Sequence, residues 1–230
     1  MLMRNPDEVD AAATQRLSWS ERALTRAEIL HALGKGQSGD ELVNPHFESA
    51  VPSDVKARAG RSSVAIVILD EAQPTIMLTK RSAKIRFGGQ FCFPGGREAP
   101  EDDGLKQTAL RETFEEINVL PSALTYIGCL GTYFTHAGYL IEPNVFMANA
   151  DVSYWPDPDE VAEIVLVPLS ALQNKANYHL VTRGGGRANF NFRWSHIQVG
   201  GPTVSLMIHL MHSLSGVLNP HDRNSWRDKF

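Results

Sequence analysis

A mixed β-sheet sandwiched between helices, in the α/β (α+β) class, is what this sequence predicts. Three observations predict it. β-Branched or alternating apolar runs recur along residues 63–168 at strand length. Two helical patterns interrupt and follow them, over about 105–118 and 203–216. The resulting order, β-β-β-α-β-β-β-α, combines hairpin neighbours with crossovers, so the sheet must be mixed and the helices must cover it.

The elements follow in chain order. "TRAEILHALGKG" opens with a capping box, Thr25 to Glu28, and closes at Gly34 and Gly36, which predicts a short helix with Ile29, Leu30 and Leu33 inward. Residues 35–60 are rich in Gly, Pro and Ser and read as a loop. "SVAIVIL" (63–69) and "PTIMLTKR" (74–81), separated by the turn residues "DEAQ", read as a hairpin of buried strands. "QFCFPGG" (90–96) reads as a third strand that ends in a Pro-Gly-Gly break. Residues 124–134 and 139–150 alternate like strands, 163–172 reads as a strand running into a helical turn, and 191–199 admits one more strand. The final pattern, 203–216, is apolar around most of its circumference and ends at Gly216.

The chain has 230 residues, 43% of them hydrophobic, enough for one main domain with extensions. The reading assigns 1–60 to an N-terminal extension, 61–218 to the main domain and 219–230 to a tail. Net charge is −4, so no global basic field would recruit nucleic acid. No stretch approaches the roughly 20 apolar residues of a membrane span, and the N-terminus lacks the apolar core of a secretory signal. Cys92 and Cys129 match no metal-ligand spacing and read as two buried thiols. These features predict a soluble, cytoplasmic protein. A homodimer is compatible with the sequence and is not required by it.

The stretch "ALRETFEEINV" (109–119) carries the chemistry. On a helical wheel Glu112, Glu115 and Glu116 fall within a sector of about 100° and project together, while Leu110, Phe114 and Ile117 lie opposite, on the face that packs on the sheet. Glu112 and Glu116 are four apart and repel, and they occupy the helix half where the macrodipole disfavours anions. A hard divalent cation would remove that repulsion; a solvated acidic face is the plainer reading of the string alone. The preceding "FPGGREAPEDDG" shifts the balance. Pro94, Gly95 and Gly96 force a bend where backbone can approach a ligand, and Asp102 or Asp103 is placed to N-cap a helix starting at Gly104.

"GGREAPEDDGLKQTALRETFEEINV" resembles the Nudix box, G-x5-E-x7-R-E-U-x-E-E-x-G-U with U apolar. The loop is one residue longer than the pattern, so the first box Glu falls on Asp103, or on Asp102 in the alternative register. Thr113 stands where an aliphatic residue is usual. Asn118 replaces the box glycine, and Asn also tolerates a left-handed helix end. "LTKRSAKIRFGGQFCFPGG" further resembles the segment before the box in coenzyme A pyrophosphatases, through Leu78, Thr79, Arg81, Ser82, Arg86, Gly89, Gln90 and Phe93. The resemblance spans about residues 60–215.

The resemblance implies a Nudix fold and metal-dependent hydrolysis of a diphosphate linked to a larger group. For the subfamily, the products would be adenosine 3′,5′-bisphosphate and 4′-phosphopantetheine. It implies Mg²⁺ or Mn²⁺ on Glu112 and Glu116, with Glu115 beside them and the Gly96 carbonyl as a further ligand. Arg111 would orient a neighbouring Glu. Arg81 and Arg86 would grip the diphosphate or a 3′-phosphate. The general base is a box carboxylate such as Glu115 or an acid of a later loop, where Glu160 ranks above Glu163. Trp155 stacks on an adenine or packs on its own prolines. His136 reads as a turn histidine, and His209 and His212 as packing residues rather than a metal site. ADP-ribose, NADH and nucleoside triphosphates remain alternative substrates, and a non-catalytic binding domain is a third reading. The Glu112/Glu115/Glu116 repulsion argues against that third reading.

Overall fold

The computed structural model describes residues 17, 19–34, 41–42, 51–135, 137–183 and 187–215. His136 and Gly216 lie outside them. Arg26–Leu33 form helix α1, with both hydrogen bonds of the Thr25/Glu28 capping box in place. The expected loop before the sheet contains a short helix, α2, Ser53–Ala57, started by Pro52. Pro52 suits a helix start because its missing N–H would be unpaired there anyway.

Strand β1, Gly60–Asp70, and β2, Thr75–Arg81, form the expected hairpin, but only Ile68↔Ile76 and Leu69↔Thr75 pair. Beyond them the strands part and acquire different neighbours. The expected third strand is two short ones. Phe91–Cys92, β3, pairs with β2, and Gly95–Arg97, β4, pairs with β1. Pro94 has no N–H for a ladder, and its carbonyl accepts from Ala65 N at 2.8 Å. The Phe93-Pro94 step therefore carries the chain across the gap between the two parted strands.

Helix α3, Leu105–Ile117, follows and ends on Asn118 in the left-handed conformation, φ 57°. Then come β5, Thr125–Cys129, β6, Tyr133–Phe134, β7, Tyr139–Asn149, and β8, Val161–Pro168. β7 runs parallel to β1 over eleven pairs, Gly60↔Tyr139 to Asp70↔Asn149, while β8 is antiparallel to β2. The sheet is mixed, with a central order β3-β2-β1-β7-β5.

A short helix α4, Leu169–Gln173, leads to a separate three-stranded sheet of β9, Tyr178–Arg183, β10, Arg187–Trp194, and β11, Ile197–Val199. The single strand expected over 191–199 is thus a hairpin, broken at Ser195, which has φ 53°. β9 is an addition to the strands the sequence predicts, and it is held by antiparallel pairing with β10. Helix α5, Gly201–Leu214, closes the described chain, and its His209 and His212 are buried.

Two apolar layers flank the main sheet. On one face Ile66, Ile68, Val145 and Met147 meet α1, α5 and the small sheet; on the other Ala65, Val67, Phe146 and Ala148 meet Ala109 and Ile117 of α3. The N-terminal segment belongs to the first layer. Leu17 and Trp19 are buried, Trp19 Nε1 donates to the Gln173 carbonyl at 2.8 Å, and its ring packs edge-on against Tyr178 and His212. Among the described residues no helix is long and apolar enough to cross a membrane.

Trp19→Ala should remove about 3 kcal/mol of stability, by cavity formation and loss of a buried hydrogen bond. Urea unfolding checks this; an unchanged midpoint would mean that the N-terminal segment is not part of the core.

Candidate active site

Helix α3 packs through short side chains. Thr108, Ala109, Thr113 and Ile117 face the sheet, fully buried. The wheel had put Phe114 on that face, yet Phe114 is 44% exposed. Small residues let the helix lie close to β1, and that rotation turns Phe114 outward and brings the neighbouring Glu112/Glu116 stripe inward. Thr113 fits where a larger aliphatic side chain was expected, its hydroxyl satisfied by donation to the Ala109 carbonyl at 2.6 Å.

The three acids therefore part company. The side chain of Glu116 is 3% exposed and that of Glu112 is 15%, while Glu115 is half exposed. Glu112 and Glu116 face β4. A methyl group at Gly96 would fall 2.3 Å from Glu112 Oε1, and one at Gly95 would fall 2.3 Å from the Ser63 carbonyl. Gly95, with φ 154° and backbone against its α-carbon, must be glycine for the bend to approach β1, whereas a side chain at Gly96 would displace the Glu112 carboxylate. Gly95 N donates weakly to Glu116 Oε2, at 3.4 Å.

Arg111 organises the acids from one side. Its Nε and Nη2 form a fork on Asp102, both at 2.9 Å, while Nη1 donates to Glu112 Oε1 and Glu115 Oε2, also at 2.9 Å. Nη2 also reaches the Arg97 carbonyl on β4 at 3.0 Å. Asp102 does not cap the helix: Gly104, φ 81°, holds the N-cap position without a side-chain bond. Asp102 instead accepts from Arg111, Thr108 Oγ1 and Ala99 N. The Arg111 bonds, with those of Ala99 and Thr108, hold its carboxyl well below the usual carboxylate range. Of the two registers open in the sequence, Asp102 is the residue paired with Arg111, and Asp103 is exposed.

Arg81 reaches the acids from the opposite side, its Nη1 3.9 Å from Glu116 Oε1. Glu160 starts beside it, because Ser82 N donates to the Glu160 carbonyl at 2.7 Å, and its charge acts on both Glu112 and Glu116. The loop carrying Glu160 is tied to the end of α3. Trp155 N donates to the Ile117 carbonyl, Asp157 N to that of Glu116, and Asn118 Nδ2 to the Trp155 carbonyl. Glu163 is engaged elsewhere, 2.8 Å from His196 and 3.7 Å from Lys80. Arg86 is exposed, and its guanidinium lies over the Phe87 ring. Trp155 is 57% exposed rather than packed away. Cys129 is buried as expected, whereas Cys92 is only partly so.

Burial raises the pKa of both inner acids, and the adjacent Glu112 charge helps push Glu116 up to about 8. Two desolvated carboxylates with few donors suit a hard divalent cation, which would supply the missing counter-charge. Among the described residues no three His, Cys, Asp or Glu side chains converge on one point. Further oxygen donors would come from backbone, water or substrate, as Mg²⁺ commonly retains several waters.

The matching family model is the NUDIX domain, over residues 60–184. A protein of Photorhabdus laumondii named "Uncharacterized Nudix hydrolase NudL" is 37% identical over 67% of this chain and 85% of its own. A NudL of Yersinia pestis is 30% identical over 78% of this chain and 88% of its own. Among solved structures, a C. elegans Ap4A hydrolase binary complex is 21% identical over 51% of this chain and 86% of its own, with a TM-score of 0.43.

Without metal, Glu116 should titrate against the fold. Between about pH 4.5, its ordinary value, and about 8, the folded state holds a proton that the unfolded state releases, so stability falls as pH rises through that window. Glu116→Gln should flatten this slope and stabilise the metal-free protein at pH 8 by on the order of 1–3 kcal/mol. Denaturant midpoints at pH 5 and pH 8 check it; parallel pH slopes for the two proteins would contradict it.

Proposed function

This chain belongs to the Nudix hydrolase family, and we propose that within it the chain cleaves the diphosphate bond of coenzyme A or a derivative. The products are adenosine 3′,5′-bisphosphate and 4′-phosphopantetheine. One observation carries the reading. The "LTKRSAKIRFGGQFCFPGG" segment delivers Arg81 beside Glu116, so one residue of the match to coenzyme A pyrophosphatases sits against an acid of the Nudix box.

In this reading Glu112 and Glu116 hold the Mg²⁺ or Mn²⁺, with the Gly96 carbonyl as a further donor. Nudix enzymes generally use divalent ions, which neutralise diphosphate charge and acidify the attacking water. Glu115 shares Arg111 Nη1 with Glu112 and supplies a third carboxylate when it turns from Arg111. Arg111, fixed by Asp102, keeps Glu112 in register with β4. Arg81 contributes a fixed positive charge to the phosphoryl oxygens, and Arg86 a second, more exposed one. Glu160 accepts the proton of the water. As the water oxygen bonds to one phosphorus, the bridging P–O bond breaks, and the other phosphate leaves with the bridging oxygen.

Supplied with Mg²⁺ or Mn²⁺ and coenzyme A, ADP-ribose, NADH or dNTPs, the protein should turn over coenzyme A fastest, with the two named products identified by mass. ADP-ribose cleaved far ahead of coenzyme A would overturn the substrate assignment. Glu116→Gln should reduce turnover by on the order of 10³-fold without changing the circular dichroism spectrum. A fully active variant would remove Glu116 from the ligand set.

A further inference from the structure

Phe87 lies in the turn-rich segment between β2 and β3. Its φ is 63° and it is 56% exposed. The left-handed region crowds the Cβ of a bulky residue, and such outliers persist where the surrounding structure over-determines them. Glycines 88 and 89 follow directly, so the strained position falls on the aromatic residue of the turn. Phe87 buries little against the core, and packing does not explain it.

The hydrogen bonds around it do fix its place. Arg81 Nε donates to the Arg86 carbonyl at 3.1 Å, Gly88 N to the Ile85 carbonyl at 3.1 Å, and Gln90 N to the Phe87 carbonyl at 3.3 Å. Arg81 also exchanges backbone bonds with this segment, donating to the Gln90 carbonyl and accepting from Gly89 N. The Arg86 guanidinium rests over the Phe87 ring, 4.6 Å from its centroid. Arg81 is therefore shared. One end of its guanidinium faces Glu116, and the other clamps the peptide that presents Phe87.

We infer that Phe87 is a stacking platform for the nucleobase of the diphosphate substrate, with Arg86 backing its ring. This rests on the diphosphatase reading and adds a specificity-determining residue to it. An exposed ring with a cation behind it offers a π-face to any base. It would favour nucleoside diphosphate derivatives over diphosphates without a base, and it would select weakly among bases. The bond from Arg81 Nε to the Arg86 carbonyl holds the peptide next to the ring, so stacking would align the diphosphate with the acids.

Calorimetric titration of ADP and of inorganic pyrophosphate, each with Mg²⁺, into the wild-type protein, Phe87→Ala and Phe87→Trp tests the assignment without relying on turnover. Phe87→Ala should weaken ADP about 5- to 50-fold and leave pyrophosphate unchanged, and Phe87→Trp should retain ADP binding. ADP affinity unchanged in Phe87→Ala, or ADP and pyrophosphate weakened equally, would overturn the platform while leaving the diphosphate site standing. Failure of the wild-type protein to bind either ligand would overturn the diphosphate reading and the platform with it.

Discussion

The fork between Arg111 and Asp102 is the contact on which the site depends. Two carboxylates four residues apart, turned toward a sheet, repel each other and lose hydration. Here Arg111 is anchored by the buried Asp102 and by the Arg97 carbonyl on β4, so its remaining N–H faces Glu112 and Glu115 in a fixed place. The pair is charge-assisted and two-pronged, the geometry that gives guanidinium–carboxylate contacts direction as well as strength. It binds the loop, the helix and the bend into one unit, leaving Glu116 as the acid least compensated by its neighbours.

The parting of β1 and β2 creates room for that unit. Were they paired along their length, β4 would have no edge on β1, and the glycine bend would have no reason to pass under α3. Short side chains on α3 then allow close approach, and Gly95 and Gly96 remove the last obstructions. Arg81 leaves β2 on the other side of the same gap and meets Glu116 there. The splayed hairpin thus brings Arg81 of β2 and the glycine bend beside β1 to the same acidic helix.

Much of this was legible in the sequence, for identifiable reasons. The hairpin, the capping box and the long helices announced themselves through strong periodicity and caps. The acidic helix was legible because its charges are unfavourable without a counter-ion. The rest depends on contacts between distant residues. The wheel assigned Phe114 inward from hydrophobicity alone, whereas close packing on β1 favoured Ala109 and Thr113. Asp102 looked like a helix cap because local spacing cannot reveal an arginine nine residues on as a stronger partner. Phe93-Pro94-Gly95 read as the end of one strand, since nothing local shows that β1 and β2 separate to receive its two halves. Trp19 precedes any periodic pattern, and its place under α5 emerges only when the small sheet and helix assemble.

The central claim is that the inward-turned Glu112/Glu116 pair is a divalent-cation site. Calorimetric titration of Mn²⁺ into wild-type protein and into Glu116→Gln, at one pH and without substrate, tests it most directly. Saturable binding by the wild-type protein, weakened at least about tenfold in a variant that remains folded, is the expected result. Equal Mn²⁺ affinity in the two proteins, or no binding to either, would contradict it.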